Sequence, residues 1–315
     1  MNRYSLFGNR YKKQHRRSRE CCLFSIHSRK ELPVDIARHW NLQEDKIIQC
    51  TLCPHTCRIP EGKRGICKAR ENQNGVLYAV YYGWISSAAI DPIEKKPLDY
   101  FYPGANILSL GGYGCNFHCG FCQNHHISLE YEHTEGQLMD VDEVLYIAQA
   151  YAISKGNIGI AYTFNEPLIN YEFVYDCARQ ASAEGFNNVL VTNGYINGNA
   201  LDELLPYIDA MNIDLKAFTP EFYQRVGGDL ESVKNTIIKA SDKCHVEVTT
   251  LVIEGENDKD IPAIAKWLAD INPEIPYHLS RFYPRYNFLD KPPTDVRTIA
   301  RLADEASKYL SRVCI

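Results

Sequence analysis

From Ala105 onward the sequence alternates short, nearly continuous apolar runs with longer stretches of helical period, and few folds accommodate that rhythm. Candidate strands are Ile107–Gly111, Ile158–Thr163, Asn188–Thr192, Ala210–Leu215, Val246–Ile253 and Tyr277–Phe282. Runs apolar on both faces suit a parallel sheet, which is covered on both sides. Candidate helices are Val141–Ser154, Pro167–Glu184, Ala200–Tyr207, Glu221–Val226 with Leu230–Ser241, Ile261–Leu268 and Asp295–Leu310. In the first of these, Val144, Ile147 and Ala148 recur at i, i+3 and i+4. Six βα units predict an α/β fold, an open partial (β/α)6 barrel of TIM-like type. In such folds the loops at the C-terminal strand ends converge, so chemistry is sought there.

The first strand runs into Gly114-Cys115-Asn116-Phe117-His118-Cys119-Gly120-Phe121-Cys122-Gln123-Asn124. Glycines 111, 112 and 114 bring the backbone sharply out of the strand. The C-x3-C-x2-C spacing lets three thiolates converge on one centre. Three sulfurs fill three corners of an iron–sulfur cubane and leave the fourth iron open to a substrate or cofactor. The competing reading is a zinc loop completed by His118, His125 or His126.

A second group lies upstream: Cys50-Thr51-Leu52-Cys53-Pro54-His55-Thr56-Cys57, then Gly62, Gly65 and Cys67. Four thiolates on short turns make a closed tetrahedral set, which favours structural zinc. A second iron–sulfur cluster is the alternative. His55 reads as a solvated loop histidine, with a metal ligand as the alternative. Arg58, Lys63, Arg64, Lys68 and Arg70 read as either a solvated face or a docking surface. Pro33 to Trp40 predicts a short amphipathic helix, Lys46 to Gln49 a short strand, and Leu77 to Ile90 a hairpin. The chain thus divides into a basic tail over 1–32, a Cys-rich segment with hairpin over 33–100, and the barrel over 101–315. The tail carries Arg3, Arg10, Lys12, Lys13, Arg16, Arg17 and Arg19 before its first acid, Glu20. It reads as disordered, with a transit peptide as the alternative. Its adjacent Cys21 and Cys22 are poor co-ligands of one metal.

Polar residues stand at the ends of the later strands. Glu166, before Pro167, sits at a helix start, where its carboxylate accepts a hydrogen bond from an ammonium group or simply answers the helix dipole. Thr192 and Asn193 offer polar groups to a ribose or carboxylate, or serve a turn. Asp214 and Lys216 alternate with apolar neighbours and share a face, where charge is costly unless paired or bound to a ligand. His278 and Ser280 share a face of the last strand, where His278 is a site candidate or a satisfied core histidine, and Arg281 and Tyr283 are candidates for substrate contact, with a rim salt bridge as the alternative for Arg281. Cys177, Cys244 and Cys314 read as small core residues.

C-x3-C-x2-C with an aromatic, Phe121, just before the last cysteine resembles the signature of radical S-adenosylmethionine (SAM) enzymes. Cys50 to Cys67, Asp91 to Leu98, Gly114 to Asn124, Tyr162 to Pro167, Asn212 to Lys216 and His278 to Pro284 are together similar to the radical SAM proteins of the AmmeMemoRadiSam system. Those proteins are relatives of the pyruvate formate-lyase activating enzymes. The resemblance implies a [4Fe-4S] cluster on Cys115, Cys119 and Cys122, with SAM at the open iron and Phe121 near its adenine. It implies SAM contacts from Glu166, Asp214, Lys216 and His278; Thr192 and Asn193 join them as candidates. It further implies an oxidoreductase that cleaves SAM reductively, drawing on an electron donor such as flavodoxin or ferredoxin. The resulting 5′-deoxyadenosyl radical would abstract hydrogen from a small molecule or a partner protein such as a glycyl-radical enzyme. Phe164 and Asn165 stand where the family's Gly-Gly-Glu motif has glycines, and His125-His126 where relatives carry Trp. The alternative of another class is a metal-binding or electron-transfer protein without turnover.

Composition narrows the field. A net charge of −5 gives no basis for bulk nucleic-acid or anionic-membrane binding. No apolar run approaches the ~20 residues of a membrane span. Of 12 cysteines, seven fall in the two metal-like groups, which fits metal thiolates in a reducing cytoplasm better than a disulfide framework.

Overall fold

In the computed structural model, which describes residues 35–130 and 136–315, the chain begins in short antiparallel strands. These are β1 (Asp35–Ile36), β2 (Trp40–Leu42), β3 (Ile48–Cys50), β4 (Arg58–Ile59), β5 (Arg70–Gln73) and β6 (Val76–Ala79). The basic tail, with Cys21 and Cys22, lies outside the described residues. Over its described part, the helix expected across 33–40 is replaced by strands. Asp35 and Ile36 pair with Ala79 and Tyr78, and Trp40 pairs with Cys50. Ile36 is exposed while Ala37 is buried, so the apolar residues do not share one helical face.

β5 and β6 close over Asn74 and Gly75, both at positive φ (54° and 82°), a turn whose twist matches that of its strands. The hairpin expected over 77–90 therefore does not form. Leu77 turns back onto Asn72. After β7 (Trp84–Ile85), β8 (Ser87–Pro92) leaves to pair with β9 (Asn106–Gly111).

The chain continues through α1 (His125–Ser128), β10 (Gln137–Leu138), α2 (Val141–Lys155), β11 (Asn157–Tyr162), α3 (Tyr171–Ala183) and β12 (Asn187–Thr192). It ends with α4 (Gly198–Leu204), β13 (Ala210–Asp214), α5 (Pro220–Val226), α6 (Leu230–Ser241), β14 (His245–Val252), α7 (Ile261–Ile271), β15 (Tyr277–Arg281), α8 (Val296–Ala306) and β16 (Val313–Cys314). The main sheet has the order β16-β15-β14-β13-β12-β11-β9-β8. All of its strands run parallel except β8. The six anticipated strands stand within a residue of their expected bounds; the edge strands β8 and β16 were not anticipated.

Both faces of the sheet are covered. Leu108, Ile160, Leu190 and Met211 pack with helix residues such as Val144, Ala178 and Ile237. The opposite face, with Ile107, Ala161, Val189 and Ala210, is covered by Ile93 and Leu98 from the connection between β8 and β9. Polar bonds fix that connection. Asn212 donates to the Pro97 carbonyl (2.8 Å), and Glu247 accepts the backbone N–H groups of Asp99 (3.1 Å) and Tyr100 (2.8 Å).

The described residues form one compact unit. A buried ion pair, Arg70 on β5 with Glu172 on α3, ties the N-terminal strands to the helical layer. The Arg38 N–H also donates to Glu172 (2.7 Å), and Arg70 donates to the Arg38 carbonyl (2.7 Å). Such a pair adds little net stability but is costly to break. Glu172→Ala is expected to destabilise the protein by roughly 3–5 kcal/mol in chemical denaturation, because Arg70 keeps an uncompensated buried charge. A loss of about 1 kcal/mol or less, typical of an exposed pair, would contradict this.

Candidate active site

β9 delivers the chain to the cysteine loop, and contacts from three directions hold that loop in place. Gly114 lies at φ +88°, a conformation that favours glycine. Its carbonyl accepts from Asn165 (3.0 Å), whose own Oδ1 accepts from the Gly112 N–H (2.8 Å). On another side the loop leans on the end of α5, where the His118 N–H donates to the Val226 carbonyl (2.9 Å). A Cβ at Gly227 would stand 2.3 Å from the His118 ring, and one at Gly228 would stand 2.3 Å from Phe117, so the approach requires glycine at both. Phe121 is buried against Phe222 and Phe288. The Gly120 carbonyl accepts from Asn287 N–H (2.8 Å), which brings the segment after β15 onto the third side.

Burial pushes all three loop thiols up: Cys115 well above the usual range, Cys119 to about 11, and Cys122 upward. The nearby Glu166 carboxylate adds to the effect at Cys115, while the Lys216 ammonium opposes it at Cys119 and Cys122. Cys115 Sγ also receives the Phe117 N–H (3.3 Å) and the Asn193 amide (3.8 Å). Tetrahedral ligation of one zinc ion brings sulfurs to about 3.8 Å of one another. Among the described residues, the one group of three Cys, His, Asp or Glu ligand atoms within 4.8 Å of one another is Asp99, His278 and Cys314. The three loop sulfurs therefore do not all lie within 4.8 Å of one another, and no neighbouring histidine closes such a set with them.

Glu166 lies at the end of β11, buried. Its Oε1 accepts from Leu168 N–H (3.0 Å) and the Thr192 hydroxyl (2.7 Å), and its Oε2 from Asn193 N–H (2.7 Å). Desolvation outweighs these three donors and pushes the carboxyl up to about 7. Asn193 also donates to Asn116 (2.8 Å), whose amide donates to the Tyr195 carbonyl (2.8 Å). Glu166, Thr192, Asn193 and Cys115 thus belong to one network. Past the end of β13, Lys216 pairs with Asp214 at 3.0 Å. Burial opposes the ammonium charge, but Asp214 and then Cys119 outweigh it and raise the Lys216 pKa.

His278 stands level with Asp214 across β14 and is bonded within the sheet. Its Nε2 meets Glu247 at 2.6 Å, and its Nδ1 faces Asp99 at 4.0 Å. Glu247 is fully buried, which raises its pKa, yet His245, His278 and the Tyr100 N–H hold it down to about 2. Sequence reasoning missed Glu247, although a charge inside the apolar run 246–253 is the same signal that marked Asp214. It also missed Lys96, which is buried, pairs with Asp91 (2.9 Å) and lies 4.8 Å from the centre of the Phe164 ring.

A cysteine triad at the mouth of a parallel sheet finds its counterpart among known proteins. The model of the Radical SAM superfamily matches residues 110–268. The chain belongs to the radical SAM superfamily. It is 44% identical over 263 residues to the uncharacterized protein MJ0808 of Methanocaldococcus jannaschii, covering 81% of this chain and 77% of that one. It is 25% identical over 178 residues to the pyruvate formate-lyase 1-activating enzyme of Escherichia coli, covering 52% of this chain and 71% of that enzyme. Among solved structures, Streptococcus suis SuiB bound to precursor peptide SuiA aligns with TM-score 0.50 and 12% identity, over 64% of this chain and 46% of that chain, a likeness of fold alone. This radical SAM protein is an enzyme resembling the pyruvate formate-lyase activating enzymes, and its family implies a [4Fe-4S] cluster and SAM. No helix among the described residues is long and apolar enough to cross a membrane.

The raised Glu166 pKa carries a stability consequence. The folded protein retains a proton that the unfolded chain gives up near 4.5, so this contribution is complete below that pH and is lost as pH rises through about 7. The loss is on the order of 3 kcal/mol. Glu166→Gln should flatten the unfolding free energy of the metal-free protein across that window; an unchanged slope would contradict the assignment.

Proposed function

We propose that Cys115, Cys119 and Cys122 hold a [4Fe-4S] cluster whose open iron takes SAM, and that the protein is a reductive SAM-cleaving enzyme acting on a partner protein. The carrying observation is the meeting of three thiols, Cys119 buried and Cys115 and Cys122 half-buried, with Glu166 and the Asp214–Lys216 pair at or beyond the C-terminal ends of β9, β11 and β13. The sheet, with β8 and β16 at its two ends, is read as an open partial (β/α)6 barrel with these groups at its mouth. When bound, the cluster supplies an electron to the SAM sulfonium, which yields methionine and a 5′-deoxyadenosyl radical able to abstract hydrogen.

The side chains divide the remaining work. A carboxylate has about four lone-pair directions. Glu166 spends three of them on Leu168, Thr192 and Asn193, which leaves one on Oε2 for the ammonium of SAM. Lys216 spends one N–H on Asp214 and offers the others to the SAM carboxylate. Phe121, already shielded by Phe222 and Phe288, presents an apolar wall to the adenine. Thr192 and Asn193 position Glu166 and Cys115. His278 serves Glu247 in this reading. The Escherichia coli relative is named for activating pyruvate formate-lyase; by analogy, the hydrogen donor here is inferred to be a protein, and the electron donor a flavodoxin or ferredoxin. The many free thiols suit a reducing cytoplasm.

Anaerobically reconstituted and reduced protein should release 5′-deoxyadenosine from SAM, and Cys115→Ala, Cys119→Ala and Cys122→Ala should each abolish that release. Cleavage retained in all three variants would overturn the reading. Lys216→Ala should weaken SAM binding on the order of 10-fold, the value of a lost charge-assisted bond. Titration of SAM into the reconstituted variant checks this, and unchanged affinity would remove Lys216 from the site.

A further inference from the structure

The upstream cysteines converge as well. Cys50, Cys53, Cys57 and Cys67 line one pocket together with Arg70 and Ile169. Backbone N–H groups of His55, Ile66 and Ala69 act to lower the pKa of the Cys53, Cys57 and Cys67 thiols, against the burial that raises each. Such donors near sulfur favour the thiolate form that ligates a metal. Arg70 is buried and electrostatically close to Cys50 and Cys67, and its Nε has no hydrogen-bond partner. A buried guanidinium with an unspent N–H beside four sulfurs indicates that something anionic completes the pocket.

Spacing decides what that group is. No three of these sulfurs lie within 4.8 Å of one another, whereas four thiolates around one zinc ion stand about 3.8 Å apart. A cubane places its irons at separate corners and so holds its thiolates farther apart than a shared ion does. The catalytic triad Cys115, Cys119 and Cys122 is splayed by the same criterion. His55, the one histidine in the motif, commits Nε2 to the Asn116 carbonyl at 2.7 Å.

We propose that Cys50, Cys53, Cys57 and Cys67 bind a second [4Fe-4S] cluster, in place of the single zinc ion that their sequence spacing favours. It lies beside the catalytic loop. From the ligand Cys53, the chain runs through Pro54 to His55, whose ring bonds to the residue after Cys115. The proposal does not depend on SAM chemistry, because its ligands and the catalytic ligands are separate.

Metal and acid-labile sulfide analysis of anaerobically prepared wild-type protein is the first test. About eight irons and eight sulfides per chain, without zinc, are expected for two clusters. About four irons with one zinc would overturn the proposal. The variant Cys115→Ala/Cys119→Ala/Cys122→Ala should keep about four irons and four sulfides, and give the paramagnetic resonance signal of one reduced cluster. Zinc without labile sulfide, or no metal at all, in a variant whose circular dichroism is native would overturn it. Loss of SAM cleavage alone bears on the catalytic triad and leaves this count unaffected.

Discussion

A carboxylate buried at the junction of two parallel strands holds the active site in register. Glu166 leaves β11 and is met by the Thr192 hydroxyl and the Asn193 N–H at the end of β12. Asn193 then passes the constraint on, since its side-chain amide reaches both Asn116 and the Cys115 sulfur. The first cysteine is thereby held from the sheet as well as by the Phe117 N–H of its own loop. The arrangement is incomplete by itself. Burial has removed more solvation than three hydrogen bonds restore, which is why the carboxyl is pushed up to about 7. In the proposed reading, the ammonium of SAM would supply the charge that those bonds do not.

The N-terminal segment shares in this architecture. Asn197, just before α4, donates its backbone N–H to the Leu52 carbonyl and its amide to the Thr51 carbonyl. His55 bonds to Asn116, and its ring packs edge-on against Tyr195. Arg70 and Glu172 fasten the other end to α3. The Cys50 to Cys67 region is therefore a wall of the catalytic loop. Metal binding there would displace protons from desolvated thiols and couple local folding to the loop's position.

The sheet was legible in the sequence because strands such as Asn187–Thr192 are apolar on both faces, a pattern that needs two covering layers. The N-terminal strands were not, because elements of two to four residues are too short to show a period. One local signal was available in Asn74-Gly75, whose turn chemistry places the hairpin at β5–β6 rather than over 77–90. The cysteines, Glu166, Asp214 and Lys216 could be found because costly residue types stood at strand ends. Alternation grouped His278 with them, but it gives a residue's face and not its partner. The partner, Glu247, sits on the neighbouring strand two residues from the position level with His278.

The replaced glycines show how the family pattern tolerates change. Phe164 stands at φ +69°, a backbone conformation that glycine adopts freely and phenylalanine does not. A glycine, which the resemblance leads one to expect here, would take that conformation without strain. Neighbours hold the strained conformation. The Phe164 carbonyl accepts from the Asn124 amide (2.7 Å), its ring packs over the absent side chain of Gly111, and the Lys96 ammonium lies against that ring. Asn165 uses its side chain for bonds to Gly112 and Gly114, so it clamps the loop that a second glycine would leave free. Strain of this kind costs on the order of 1–3 kcal/mol and persists only where surrounding contacts over-determine it. Here those contacts reach Gly112 and Gly114 from Asn165, so residues expected to be glycine help to fix the loop that carries Cys115.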